Sequence, residues 1–76
     1  MARPLYAIAR EIRADWKKVS PYAAPYLSAM SSLTSIEDNY GYDSGRFIVL
    51  YFLANAGSWR GETAKRIKAE LREMTK

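Results

Sequence analysis

Seventy-six residues, 49% of them hydrophobic and 13% aromatic, suffice for one domain over 1–76 with one core, since a chain this short buries only about 60% of its unfolded surface. No cysteine and no histidine occurs, which removes disulfides, thiol nucleophiles, the usual zinc and iron–sulfur ligands and the side chain that most often moves protons near neutral pH. The formal charge of +4 is unevenly spread: five bases face two acids in residues 1–36, one faces three in 37–58 and six face three in 59–76. Two basic ends around an acidic middle permit an acidic partner without demanding one.

Leu5, Ile8, Ala9, Ile12, Trp16 and Val19 recur at three- and four-residue steps, which predicts an amphipathic helix over about 4–18. Pro4 suits its first turn, and Ser20-Pro21 suits its end. This amphipathic N-terminus with Glu11 and Asp15 is not a secretory signal, which needs an unbroken apolar stretch. With no disulfide to favour secretion, a cytoplasmic location is expected.

Pro21 and Pro25, each followed by tyrosine, cannot both be mid-helix. Either Pro21 starts a second helix that Pro25 bends, or that helix begins with Pro25 in its first turn; in both cases it ends near Leu33. Thr34-Ser35-Ile36-Glu37 matches a capping box and predicts a short helical turn around Ile36 to Tyr40. Gly41 is expected to close this turn in the left-handed conformation and Asp43 to cap the next helix.

From Phe47 to Leu53 the chain is apolar on every side, so a buried strand and a buried helix compete. Helix is preferred because Asp43-Ser44 supplies a start, Ala54-Asn55-Ala56-Gly57 supplies an end, and no second strand-like run exists to pair with it. The run falls well short of the roughly 20 residues that span a bilayer. A last helix over about 59–75 places Trp59, Thr63, Ile67, Leu71 and Met74 on one side, with Ser58 as its cap. The expected fold is all-α, a bundle of four helices with room for one extra short turn. Its third helix is expected to be central and most buried, faced by Ile8, Ile12, Trp16, Leu27, Met30, Trp59, Ile67 and Leu71.

Arg3, Arg10, Arg13 and Lys17 form a basic stripe on the first helix, with Glu11 and Asp15 on its other flank. Lys65, Lys68, Arg72 and Lys76 repeat the arrangement on the last. The leading reading is of solvated faces, helped by the helical pairs Glu62 with Arg66 and Arg66 with Glu70. Two basic edges brought together would instead make a phosphate-binding surface, with Arg10, Arg13, Lys17, Arg60, Lys65, Lys68 and Arg72 as its contacts. A helix-turn-helix across Asn55 to Ser58, reading bases with Arg60, Glu62, Thr63 and Arg66, is a weaker form of that idea. In it Trp59 is a core anchor.

Glu37, Asp38 and Asp43 have no nucleophile or phosphate loop beside them and read as capping groups, so no enzyme and no cofactor is expected. The string Asp38 to Asp43 departs from a calcium loop, whose closing glutamate would fall at Val49, and no metal site is expected. Six tyrosines exceed what a small core hides, and Tyr22, Tyr26, Tyr40 and Tyr42 are the candidate partner-binding patch.

Three stretches, Ile8 to Trp16, Tyr40 to Asp43 and Val49 to Ala64, resemble small uncharacterised proteins encoded by bacteriophages or prophages of actinobacteria, of the mycobacteriophage kind. The resemblance runs over most of the chain and carries no activity, cofactor or site residue. It implies a short accessory protein acting in the host cytosol by binding a host or phage protein, with function on a surface instead of in a pocket. Nucleic-acid binding is the alternative, self-association is compatible with either, and no membrane is implied.

Overall fold

A computed structural model describes residues 3–76; Met1 and Ala2, which open the amphipathic stretch, lie outside the described residues. Four helices and one two-residue hairpin follow in the order α1 (Leu5–Asp15), α2 (Ala24–Met30), β1 (Asn39–Tyr40), β2 (Asp43–Ser44), α3 (Gly45–Ala54) and α4 (Glu62–Met74). The mostly helical architecture is the one expected, and the ambiguous segment 47–53 is helical.

Periodicity located α1 correctly and its end imprecisely. The helix stops at Asp15 because Trp16 leaves the helical region, at φ −93° and ψ 89°, and turns its ring into the core. Of the two readings of the prolines, the second holds: Pro25 lies in the first turn of α2, and Ser20 to Ala23 form a separate turn closed by Ala23 and Ala24 N–H donation to the Ser20 carbonyl. Helix α2 ends at Met30, three residues before Leu33, whose own N–H closes a turn on the Met30 carbonyl.

No helix forms at 36–40. The capping pattern operates one residue further along: the Asp38 carboxylate accepts from the Thr34 and Ser35 N–H groups, and the Ser35 hydroxyl accepts from Glu37 N–H. These bonds close a single turn. The chain then enters the hairpin, in which Tyr40 pairs with Asp43 and Asn39 with Ser44. Gly41 is left-handed as expected, at φ +65°, but as the first residue of the two-residue hairpin turn, where a glycine is favoured. Because α3 starts at Gly45, Ser44 and not Asp43 holds the capping position, its hydroxyl accepting from Phe47 N–H.

Helix α4 starts at Glu62, later than the expected 59, and Gly61, at φ +116°, precedes it without a side-chain cap bond. Ser58 is therefore not its cap. The delay frees Trp59, a loop residue, to enter the core.

The helices enclose one core. Helix α1 packs chiefly on α2 and α4, and α3 chiefly on α2, with a lighter contact to α4. All eight residues expected to face the third helix are buried, joined by Leu5, Val49, Phe52 and Ala64. At the centre the Trp16 and Trp59 rings stack, and Phe52 of α3 meets both edge-on, at 6.2 and 6.3 Å between centroids. The expectation that the third helix is central and most buried is corrected: α3 is one of four walls, with Ile48, Val49 and Phe52 inward and an outward face in solvent.

Candidate functional site

That outward face is the first feature that packing does not explain. Phe47 lies one helical turn before Leu50 and Tyr51, and the three are 52%, 41% and 46% exposed, while residues 47–54 contain no charge. Tyr26 from α2 extends the surface, its ring 5.4 Å from that of Tyr51, which lies 6.2 Å from Phe47. A helix apolar on all sides, placed as a wall, must expose one side. Three adjacent large apolar side chains rimmed by tyrosine resemble interaction surfaces more than the scattered exposed leucines of ordinary surfaces.

Of the four tyrosines singled out in the sequence, Tyr26 alone is tied to this face by a ring contact. Tyr22, Tyr40 and Tyr42 are exposed, Tyr42 completely; Tyr40 and Tyr42 stand on the hairpin and Tyr22 in the turn before α2. Phe47, Leu50 and Tyr51 are not among the residues expected at a surface site, because the third helix is expected to be central and buried on every side. The signal was present in the all-round apolarity of 47–53.

Nine of the twelve basic residues fall into three settings; of the others, Arg46 donates to the Thr75 carbonyl and Lys76 pairs with Glu73. Arg3 bridges Glu11 of α1 at 2.7 Å and Glu70 of α4 at 2.8 Å, and Arg66 pairs with Glu11. These pairs replace the expected helical pairs of Arg66 with Glu62 and Glu70 and rivet α1 to α4. Hydrogen bonds from Arg3 hold both carboxyls below the ordinary carboxylate range, with Arg66 assisting at Glu11. Arg3 therefore stands with the acids, apart from the stripe to which the sequence assigned it.

Arg10, Arg13 and Lys17 form the second setting. All three are exposed, and Arg13 donates to the Ser28 hydroxyl of α2. The flank of α1 that meets α4 is instead the Glu11 side, so this stripe and the basic edge of α4 are not one continuous surface.

The third setting is a concavity of about 300 Å³ lined by Trp59, Arg60, Gly61, Ala64, Lys65, Lys68 and Arg72. Four of these seven residues are cationic and none is acidic. Lys68 Nζ donates to the Trp59 carbonyl at 2.6 Å and lies 5.8 Å from the centre of the Trp59 ring. Burial pushes its ammonium below the ordinary lysine range, and the charges of Arg72 and Arg60 push it further. The helix-turn-helix reading is weakened by the same geometry, since the connection spans 55–61 and the Arg66 guanidinium is engaged by Glu11.

A larger, mostly apolar hollow of about 410 Å³ lies between the start of α1, the 34–37 turn and Met74, but its one cation, Arg3, is committed to Glu11 and Glu70. Among the described residues no group of three or more acidic side chains is placed to hold a metal ion, and no helix is long and apolar enough to cross a membrane. Compared with known proteins, the chain matches no family model, no curated protein and no solved structure.

Proposed function

We propose that this is a phage-type accessory protein that works without catalysis, as a protein-interaction module of the host bacterial cytosol, docking a partner protein through the outward face of α3. The observation that carries the reading is the exposure of Phe47, Leu50 and Tyr51 on one charge-free helix face. Each is about half exposed, so covering what remains of one would stabilise a complex by roughly 1 kcal/mol, about half the value for burying a fully exposed side chain. The absence of charge defines the partner's chemistry: its contact surface is apolar, since a buried unpaired charge opposite this face would cost several kcal/mol. Tyr26 and Tyr51 supply hydroxyls at the rim, where hydrogen bonds orient a complex. The phage setting rests on the sequence resemblance.

The test is affinity capture from a bacterial lysate with the tagged protein and with a Phe47→Ser/Leu50→Ser variant, each with and without nuclease. The expected result is a specific protein held by the parent in both treatments and lost by the folded variant. Equal retention by parent and variant, or loss on nuclease treatment, rejects the reading. Sedimentation of the parent alone distinguishes a second copy of this chain: a dimer that the variant abolishes assigns the face to self-association instead.

A further inference from the structure

We propose that the concavity before α4 is a phosphate site that holds the backbone of a nucleic acid without reading its sequence. The inference rests on charge segregation and is independent of the α3 face. Where α1 and α4 meet, the acids Glu11 and Glu70 are matched to Arg3 and Arg66. Arg60, Lys65, Lys68 and Arg72 converge on one hollow, and among the described residues none of them has a carboxylate partner. Mutual repulsion of such a cluster is relieved by a phosphate, which offers several strong acceptors to two planar guanidiniums and two ammonium groups.

The fold places these cations instead of leaving them to chance. Lys65, Lys68 and Arg72 recur at three and four residues along α4, on one side of the helix. Arg60 is carried by the loop that Trp59 anchors in the core, and Lys68 is pinned by its bond to the Trp59 carbonyl. Gly61, at φ +116° with open space around it, lets the chain turn from that loop into the helix without a side chain filling the hollow.

The same site lacks the means of reading bases. Both tryptophan rings are buried and stacked on each other, so no aromatic face is free in the hollow to stack a base. Contacts to phosphate alone give affinity and register without sequence preference. The favoured occupant is a phosphodiester chain over a lipid headgroup, because the lining residues include no exposed apolar side chain to enter a membrane.

The experiment is fluorescence anisotropy with a mixed-sequence single-stranded DNA of about 20 nucleotides, at salt concentrations around 50 to 200 mM where phosphate contacts register most strongly. A Lys65→Gln/Arg72→Gln variant is compared with Arg10→Gln/Lys17→Gln, which removes the same charge from α1. The first variant is expected to weaken binding on the order of tenfold and to lower the salt slope by roughly 0.7 for each cation removed; the second, and a scrambled DNA sequence, are expected to leave both nearly unchanged. Equal losses from the two variants, or no binding at the lowest salt, overturn the site. Saturation by inorganic phosphate alone, with DNA binding no tighter, overturns the nucleic-acid assignment in favour of a small phosphate ester. Retained helical circular dichroism in both variants excludes unfolding as the cause, and neither variant touches the α3 face, so the outcome is separable from that of the capture experiment.

Discussion

The indole rings of Trp16 and Trp59 stack 5.7 Å apart and 8° from parallel, joining the end of α1 to the loop that precedes α4. Two polar bonds hold the second ring in register. Its Nε1–H donates to Asp15 Oδ2 at 2.8 Å, and the carbonyl of the same residue accepts from Lys68. Placement of the basic hollow therefore depends on a core contact, and stability and site geometry are linked through Trp59.

Replacing Asp15 by alanine strands a nearly buried indole N–H. A loss of about 1–3 kcal/mol is expected, with altered near-ultraviolet circular dichroism from the tryptophan pair. Asp15→Asn keeps an acceptor oxygen and is expected to cost less. Urea unfolding followed by tryptophan fluorescence measures both.

Two phenylalanines five residues apart on α3 should behave oppositely. Phe52→Ala opens a cavity among the tryptophans and is expected to cost about 3–5 kcal/mol, enough to unfold much of so small a domain. Phe47→Ser, on the exposed side, is expected to stay within about 0.5 kcal/mol of the parent. Thermal melts of the two variants check the contrast, and a large loss from Phe47→Ser would place that side chain in the core.

Gly45 permits a close backbone approach. A Cβ there would stand 2.7 Å from the Ser35 carbonyl oxygen and 2.9 Å from Ile36 Cα, both backbone atoms of the turn that Gly45 and Arg46 N–H groups bond to. Gly45→Ala is expected to destabilise by about 1–3 kcal/mol through that overlap. Gly57→Ala, with nothing near the added atom, serves as the control. Denaturant midpoints report the difference.

Stability should fall on acidification. The carboxyls of Glu11 and Glu70 lie below their ordinary values because Arg3 hydrogen-bonds to both and Arg66 to Glu11. A depressed folded value means that the contribution is fully present above the ordinary glutamate range and is lost as pH falls through the folded values. Each half-exposed pair is worth no more than about 1 kcal/mol after solvent screening. Glu70→Gln is expected to lower the neutral-pH melting temperature slightly and to flatten its fall below the ordinary carboxylate range. An unchanged acid limb would show that these pairs do not act.

Much of this protein is legible in the sequence by itself. Three- and four-residue spacing of apolar side chains located α1 and α4 and named their buried faces, because a helix that must bury one side records that side in its period; α2 and α3 were marked instead by proline and by start and end signals. Tertiary packing decided the rest. The capping pattern at 34–37 was satisfied one residue along and closed a turn, since local bonds of similar strength compete until long-range contacts choose among them. Trp59 lies outside the expected helix, in the loop before Gly61, and its ring packs against Trp16 and Phe52, partners 43 and 7 residues away that no local pattern names. The sequence showed that 47–53 was apolar all round, but not whether α3 would be enclosed or serve as a wall. Charges were least readable: neighbours along a helix predicted pairs for Arg66, whereas Glu11, 55 residues away in the chain, came to it through the packing of α1 on α4. That pairing, with Arg3 on Glu70, consumed acids in one place and left Arg60, Lys65, Lys68 and Arg72 unmatched in another.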